Sequence, residues 1–398
     1  MDFNAFKECV IARCKELGIT EYELYYTSGE STSVGVFQDS ISEFTASVDG
    51  GVCFRCIVGG KMGYASTEEL VSTALATQKK LYAANPAVID GCQTETLAQR
   101  SEIAVYNSKG LDLHYENAIS GVVAVAVVSN GKEMSNDFQI KLGKLDEIDT
   151  DTLTKKAADE AVLKMGGDVA PTGNYPVVFS PGAMASLLGV YSSIFSSEAA
   201  QKGLSKLSGR EGEQVAAACV TIVDDPFHKD NPMPMNFDAE GSPTHCKNVV
   251  ENGVFKTLLY NLKTAAVAGK KTTGNASKAG YDASVAVRPF TMYLAGGELT
   301  EEEVFAKAGE GVYITDLNGL HAGANPISGD FSLQSAGFMI KDGKKAEYVK
   351  SFTVAGNFYD LLKNIDCVAS NVELPRAMGM TAFGSPSVLV GGLSVAGK

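Results

Sequence analysis

The histidines and cysteines are the first candidates for chemistry in this sequence, because imidazole nitrogen and thiolate sulfur are the usual ligands of zinc. A compact zinc site takes the form His-Glu-x-x-His, in which two side chains four residues apart share one face of a helix. The four histidines are isolated along the chain, and this motif does not occur. His245 is followed directly by Cys246, whose side chain would point to the opposite face of a strand. The spacing therefore predicts no bound metal or other cofactor.

Nucleophiles are weakly indicated as well. No serine has glycine two residues before and two residues after it, which argues against the sharp turn that exposes a hydrolase serine. Cys53 and Cys56 have the spacing of a redox or zinc pair, but on a strand residues three apart face opposite sides. Cys246 beside His245 stays open as a nucleophile with a neighbouring base.

Phosphate binding and acid–base chemistry also have weak support. Residues 268–273, Ala-Gly-Lys-Lys-Thr-Thr, resemble a nucleotide-binding loop, but Thr264 stands where that motif requires glycine. We interpret this segment as a basic, mobile loop. Asp224 and Asp225 precede Pro226, and in such an acidic chain we expect them to form a solvated turn.

The stretch from Gly319 to Gly337 is unusual, since it holds four glycines together with Asn325, Pro326 and Asp330. Within a β domain this composition predicts a shaped loop that presents backbone N–H and C=O groups to a ligand. The alternative is a long hairpin connection.

Composition limits the partners and the architecture. At about 150 residues per domain, 398 residues predict two or three domains. The formal net charge of −13 repels nucleic acids and anionic lipids, so we expect neither as a partner. The first residues lack a basic and apolar leader pattern, and no apolar run approaches eighteen residues, which predicts a cytoplasmic protein.

The first part of the chain mixes helical and strand patterns. Apolar residues at helical spacing predict a helix over residues 4–17, and a capping box at Ser66 and Glu69 begins a second helix that ends near Tyr82. Asp151 begins a third helix. Strand patterns, with a tight turn of positive φ angles at Asn130-Gly131, are predicted at residues 22–26, 33–37, 51–58 and 121–129.

Residues 171–176 contain two prolines and a glycine, which we interpret as excluding both a helix and a central strand. We therefore predict an α+β domain over residues 1–170 and a mainly β domain over residues 171–398, so the fold class is α+β. Local signals of the second domain are an apolar helix over residues 183–200, hairpins at Asn252-Gly253 and Asp342-Gly343, a capping box at Thr300–Glu303 and a short helix after Asn357.

Six segments of the second domain carry a likeness to a known family. They resemble the C-terminal signature of the TldD/PmbA family, once named modulators of DNA gyrase, and comprise residues 242–244, 249–254, 258–262, 273–276, 325–332 and 354–357. Residues 63–67, Gly-Tyr-Ala-Ser-Thr, are similar to the segment before that family's second helix. The resemblance thus extends over most of the chain.

The resemblance implies two related subunits that pair into a cytoplasmic metalloprotease for unfolded or modified peptides. It further implies that the catalytic subunit carries His-Glu-x-x-x-His on a helix, with a cysteine near the C-terminus completing the zinc site. The matching positions here, residues 186–191 and 376–380, read Ser-Leu-Leu-Gly-Val-Tyr and Arg-Ala-Met-Gly-Met. The departure implies a non-catalytic subunit, whose partners are a TldD-type zinc metalloprotease subunit and a peptide substrate, in a heterodimer or a homodimer.

By the same resemblance, the glycine-rich loop would line a peptide groove and offer main-chain hydrogen bonds to an extended substrate. No catalytic or metal-binding residue is assigned. For Phe331, one of the groove candidates, the alternative is a position in the hydrophobic core. Two other functions stay open: a self-sufficient peptidase that uses Cys246 or this loop, and a homodimeric peptide-binding module without proteolytic activity. The groove candidates are Asn325, Gly329, Asp330, Phe331, Ser332 and Gly337.

Overall fold

The structure, a computed structural model, describes residues 7–8, 11–12, 23–37, 40–54, 67–231, 233–378 and 381–398. The helix expected over residues 4–17 lies largely outside these ranges, and so does Cys56 of the cysteine pair. The chain divides into two compact units. The first consists of Met1–Met165, Ala239–Gly241 and Lys278–Val285, and the second of Gly166–Asp238, Ser242–Ser277 and Ala286–Lys398.

The first unit contains a five-stranded antiparallel sheet in the order β2-β1-β3-β4-β5. Its elements are β1 (Glu23–Phe37), β2 (Ser40–Phe54), α1 (Thr67–Ala83), β3 (Gln93–Asn107), β4 (Asp112–Ser129), β5 (Met134–Leu142) and α2 (Thr150–Leu163). Alternate residues of β4, from Val122 to Val128, are fully buried in one cluster with Leu81 of α1 and Ala157 of α2. The alternation places one face of the sheet against the helices.

The strand predictions for this unit are only partly correct. Residues 22–26 and 33–37 were expected as separate strands, but β1 runs without a break from Glu23 to Phe37. The strand is continuous because β1 lies between β2 and β3 and pairs with both along its length, including at Gly29. At the β4–β5 turn Gly131 has a φ of 82°, whereas Asn130 does not have a positive φ. The Asn130 side chain instead accepts hydrogen bonds from the N–H groups of Lys132 and Glu133.

The second unit is mainly β, and its elements follow in chain order. They are β6 (Asp168–Val169), β7 (Gly173–Phe179), α3 (Pro181–Tyr191), α4 (Ser197–Gln201), β8 (Ile222–Asp224), β9 (Lys247–Glu251), β10 (Val254–Phe255), α5 (Leu262–Ala268), β11 (Ala276–Ser277), β12 (Ala286–Val287), β13 (Thr291–Leu294), α6 (Glu301–Ala308), β14 (Gly311–Asn318), α7 (Leu320–Gly323), β15 (Asp330–Lys341), β16 (Lys344–Asn357), α8 (Phe358–Lys363), β17 (Ile365–Val368), β18 (Glu373–Met378), β19 (Thr381–Ser385) and β20 (Val388–Ala396).

Two larger sheets organise this unit. One has the order β10-β9-β8-β13-β19-β18, and the other has the order β17-β20-β7-β14-β15-β16-β6. In the second sheet β20 also pairs with β16, so β20, β7, β14, β15 and β16 form a closed ring of strands. Helix α3 contacts β14 of this ring and β19 of the other sheet. The α+β class predicted from the sequence is confirmed.

The turns and helix starts predicted from adjacent residues are confirmed in this unit. Both predicted hairpins form, and all four turn residues, Asn252-Gly253 and Asp342-Gly343, have positive φ angles. The capping box at Thr300 and Glu303 has both of its hydrogen bonds, and Asn357 caps α8. None of the helices in the described ranges combines the length and apolarity that a membrane crossing requires.

Two expectations near the start of the second unit are wrong. Pro176 lies inside β7, a central strand between β20 and β14. The missing N–H is tolerated because β20 has a bulge there, and its pairing passes from Val390↔Val177 to Leu393↔Tyr175 without a partner for the proline. The helix predicted over residues 183–200 is divided, since α3 is followed by a 3₁₀ turn at Ser192–Phe195 and an extended Ser196 before α4.

Candidate functional site

Helix α3 positions the region where the family resemblance would place a catalytic motif. Ser180 caps the helix by accepting a hydrogen bond from Ala183 N–H, and Pro181 occupies the first turn, where no N–H is needed. Leu187, Leu188 and Tyr191 are fully buried. The burial of these residues fixes the helix rigidly between the two sheets.

A cavity of about 430 Å³ lies beside the last turns of α3. Gly189 allows α3 to approach Phe383 closely, because a Cβ atom there would lie 3.2 Å from Cδ2 of that ring. Seven of the lining residues are apolar, four have hydroxyl groups, three are charged and one is glycine. The lining residues are Gly189, Val190, Ser192, Ser193, Ser196, Glu198, Ala199, Lys202, Leu204, Leu259, Val287, Arg288, Pro289, Thr381 and Phe383.

The side chains at this cavity do not fit a zinc ion. Helix α3 presents Gly189 and Val190 to it, and neither residue has a metal-binding side-chain atom. Glu198 is the carboxylate of the lining, and it forms an ion pair with Lys202 at 2.6 Å. In the described ranges no three His, Cys, Asp or Glu side chains are grouped so that they could hold a metal. Gly379 and Met380 lie outside those ranges.

The glycine-rich loop forms a second feature of this unit: residues 319–329 connect the antiparallel strands β14 and β15 and include α7, whereas Asp330 to Gly337 belong to β15. The backbone of this connection is held by its own polar groups. Asn325 N–H donates to Asp330 C=O at 2.9 Å, and Gly329 N–H donates to Asn325 C=O at 2.8 Å. The Asn325 side-chain oxygen accepts from Ile327 and Ser328 N–H. These bonds engage many of the backbone N–H and C=O groups of the loop within the loop itself. The exposed side chains are therefore the groups left to contact a ligand.

Distant residues tie this loop to its surroundings. Tyr191, at the end of α3, donates its hydroxyl to Asp330 C=O at 2.7 Å, and its ring stacks on Phe358 at 4.4 Å. Burial raises the pKa of Tyr191 to about 12, so the hydroxyl keeps its proton and remains a donor. The ammonium of Lys206 donates to Ser328 C=O at 2.6 Å. Sequence reasoning missed Tyr191 and Lys206, because no local pattern joins residues more than a hundred positions apart.

The six groove candidates have different environments. Asn325, Asp330 and Ser332 are exposed, whereas Gly329 is buried. Gly329 has a φ of 85°, and a Cβ atom there would lie 2.5 Å from Tyr359 and 2.8 Å from Asn357 Oδ1. The other two are also interior: Phe331 belongs to the hydrophobic core, and Gly337 is buried where β15 crosses close to Tyr313 of β14.

The solvated turn predicted at Asp224 is wrong. The Asp224 carboxylate is fully buried and accepts hydrogen bonds from Phe290 N–H at 2.8 Å, Thr291 N–H at 3.1 Å and Asn275 Nδ2 at 2.7 Å. Lys247 Nζ lies 3.1 Å from the same carboxylate. Burial is tolerated because four donors, one of them cationic, replace water. This cluster stabilises the segment that carries Arg288 into the cavity, since Asn275 Nδ2 also donates to Arg288 C=O.

Asp330 is expected to titrate below its ordinary range. Its pKa is lowered mainly by the hydrogen bond from Asn357 Nδ2 and then by Ser328, both of which favour the carboxylate. A lowered pKa adds stability above about pH 4, which is lost as pH falls through the folded-state pKa. Carboxyl NMR titration of Asn357→Ala should show the Asp330 pKa rising. The pKa of Glu251, which is lowered mainly by Lys256, should not move in this variant. An unchanged Asp330 titration would contradict the assignment.

Comparisons with known proteins identify the family. Family models of the PmbA/TldA metallopeptidases match three regions: domain 1 at residues 22–77, the central domain at residues 63–165 and the C-terminal domain at residues 172–397. A metalloprotease of Methanothermobacter thermautotrophicus is 30% identical over 323 residues, which are 77% of this chain and 68% of that protein. A metalloprotease TldD homolog of Buchnera aphidicola is 27% identical over 266 residues, covering 62% of this chain and 53% of the relative.

Solved structures share the whole fold. A Thermotoga maritima protein, whose name relates it to DNA gyrase modulation, is 28% identical with a TM-score of 0.87, covering 99% of this chain and 100% of that one. TldE from Thermococcus kodakarensis has a TM-score of 0.84 over 97% of this chain and 99% of its own, and at 20% identity it shows the fold alone. The C-terminal family model covers more than half of the sequence, and the chain therefore belongs to the PmbA/TldD metallopeptidase family.

Proposed function

We propose that this chain is the subunit of a cytoplasmic TldD/PmbA-type metalloprotease complex that does not itself carry the catalytic metal, the PmbA (TldE) type. Its partner is a TldD-type zinc subunit, and its substrates are unfolded or modified peptides. One observation supports this proposal above the others: where the resemblance places the zinc-binding helix, α3 buries Leu187 and Leu188 and presents Gly189 and Val190 to the cavity. A helix with these side chains has no donor atoms for zinc.

The role of such a subunit is to complete a site and to position substrate. Related subunits favour pairing about a pseudo-two-fold axis, so one copy can supply the metal while the other supplies a wall of the cleft. The glycine-rich loop is a suitable wall because its internal hydrogen bonds and its links to Tyr191 and Lys206 hold it in one shape. The exposed Asn325, Asp330 and Ser332 are its candidates for peptide contact.

Reconstitution with a TldD-type protein from the same cell tests the proposal. The chain alone should contain no stoichiometric zinc by elemental analysis and should leave an unfolded protein substrate uncut. Mixed with the TldD-type protein, it should elute in a complex on size exclusion and cleave that substrate in a chelator-sensitive reaction. Stoichiometric zinc together with cleavage by the chain alone would overturn the proposal. A stable homodimer that binds peptide and never joins the TldD-type protein would support the binding-module alternative instead.

The electrostatic surroundings of Cys246 argue against the alternative of a self-sufficient cysteine peptidase. Burial raises the pKa of the Cys246 thiol, and the neighbouring charge of Asp225 raises it further, whereas a nucleophilic cysteine requires a lowered pKa. His245 has its pKa lowered by burial and by Lys247, so it is not a cation that could stabilise a thiolate. Any cleavage measured for the complex should be unchanged in Cys246→Ala, and its loss in that variant would restore the alternative.

A further inference from the structure

Arg288 differs from the other arginines whose side chains the structure describes. Arg100 is paired with Glu116, and Arg210 is paired with Glu213. Within the described residues, Arg288 has no ion pair or side-chain hydrogen bond, although its backbone is fixed on both sides. Its N–H donates to Asn275 C=O at 3.1 Å, and its C=O accepts from Asn275 Nδ2 at 3.0 Å. Arg288 is exposed and belongs to the cavity lining, so a fixed backbone holds an unpaired arginine at the cavity.

The charges around the cavity favour an anion. Lys202 and Glu198 neutralise each other as an ion pair, so Arg288 leaves one net positive charge in the lining. This local charge stands out in a chain whose formal net charge is −13. Glu198 also disfavours a multiply charged anion such as phosphate, because its carboxylate would repel the additional negative charge.

The remaining wall favours a large apolar group beside that anion. Leu204 is 42% exposed and is the main apolar side chain open to the cavity, whereas Leu259, Val287 and Phe383 are buried and contribute only small surfaces to its lining. The volume of about 430 Å³ lies within the range of roughly 300–1,000 Å³ that is usual for small-ligand pockets. A ligand that matches both features has one carboxylate and one bulky hydrophobic side chain close together.

We propose that this cavity binds the C-terminal residue of a peptide, with the terminal carboxylate on the Arg288 guanidinium and an apolar last side chain against the apolar part of the lining around Leu204. A planar guanidinium suits a carboxylate because it can donate two parallel hydrogen bonds. The inference rests on the proposed function in so far as that function supplies peptides as ligands. It adds the expectation that this metal-free subunit recognises a free chain end.

Fluorescence anisotropy of labelled peptides tests the inference on the full chain alone. The probes are a five-residue peptide ending in phenylalanine as the free acid, its C-terminal amide, and a free acid ending in alanine. The phenylalanine acid should bind about tenfold or more tightly than the amide, because the amide loses a charge-assisted bidentate contact. The alanine acid should also bind more weakly, since it leaves the apolar wall unfilled.

Variants assign the discrimination to one side chain. Arg288→Gln should bind the acid and the amide with equal affinity. Arg288→Lys should keep part of the affinity difference, because lysine retains the positive charge but cannot donate two parallel hydrogen bonds to a carboxylate. Arg210→Gln is the matched control, since Arg210 is not in the cavity lining and should leave the discrimination intact. Equal binding of acid and amide by the unmodified chain, or discrimination that survives in Arg288→Gln, would reject the inference.

The outcome of the peptide-binding experiment can be distinguished from the outcome of the reconstitution experiment that tests the proposed function. If the zinc-dependent complex forms and cleaves while acid and amide bind equally, the C-terminal site is rejected and the subunit role stands. If the chain alone carries stoichiometric zinc and cleaves the substrate but discriminates through Arg288, the subunit role is rejected and the C-terminal site stands.

Discussion

Gly337→Ala is expected to prevent stable folding of the second unit. A Cβ atom at this position would overlap the carbonyl oxygen of Tyr313 and lie 3.0 Å from Cα of Ile314, so it would collide with backbone rather than with a movable side chain. The strands β14 and β15 would have to separate near this point, inside the closed ring. Overpacking of this kind costs about 3 kcal/mol or more, a large part of the stability of an ordinary domain.

Gly391→Ala is the matched control, because the atom nearest to its Cβ is the movable Asp366 Oδ2 at 3.3 Å. This variant should change stability by no more than about 1 kcal/mol. The chain has no tryptophan, so unfolding in denaturant is better followed by circular dichroism than by tryptophan fluorescence. A Gly337→Ala protein that unfolds at the same denaturant concentration as Gly391→Ala would disprove the close-approach argument.

Asp224→Asn is expected to destabilise the second unit by about 3–5 kcal/mol, because it leaves the buried Lys247 ammonium without its counter-charge. The side chain of Lys247 is 7% exposed, so water cannot replace the lost carboxylate. Lys247→Met should cost less, since Asp224 keeps its hydrogen bonds from Phe290, Thr291 and Asn275. The double variant should recover part of the loss, as a double-mutant cycle would show.

Hydrogen exchange shows which amides the Asp224→Asn change destabilises, and Glu251→Gln is the control for loss of a carboxylate charge. In Asp224→Asn the amides of Phe290 and Thr291 should exchange faster, because both donate to the replaced carboxylate. Glu251→Gln removes the charge from the more exposed pair with Lys256 and should change stability by less than about 1 kcal/mol. Equal effects of Asp224→Asn and Glu251→Gln would show that the buried pair has no special role.

The Asp224 cluster also links stability to the proposed peptide site. Asn275 Nδ2 donates both to Asp224 Oδ2 and to Arg288 C=O, so the same side chain holds the buried acid and the cavity arginine. Local loosening at Asp224 should therefore weaken the preference for a free C-terminus even where Arg288 itself is unchanged. The sequence offered no sign of this link, since Asp224-Asp225-Pro226 has the composition of a surface turn.

Much of the candidate site could be outlined from sequence, but its arrangement could not. The sequence singles out the stretch around Asn325–Ser332 through its glycines and the family likeness, and residues 186–191 contain no His, Cys, Asp or Glu. That Gly329 and Phe331 are interior, whereas Asn325 and Asp330 are exposed, depended on packing by Tyr359 and by the core. The lining by Arg288 and Phe383 had no sequence signal, because the two residues are far apart along the chain and line one cavity only in the folded protein.

The features that neighbouring residues specify without the rest of the fold are local and chemical. Asn252-Gly253 and Asp342-Gly343 specify their turns because each residue pair accepts positive φ angles, and Thr300 with Glu303 specifies a helix start through two short-range hydrogen bonds. The side chains at residues 186–191 likewise exclude zinc ligation wherever the helix lies.

Exceptions to these local rules are tolerated where contacts between distant segments compensate for them. Pro176 fits a central strand because β20 bulges beside it, and Asp224 can be buried because Lys247, Asn275 and two distant N–H groups surround it. The strand pairing and hydrogen bonds that compensate these residues come from segments far along the chain. The stabilising free energy of these contacts therefore arises only when the fold has brought the distant segments together.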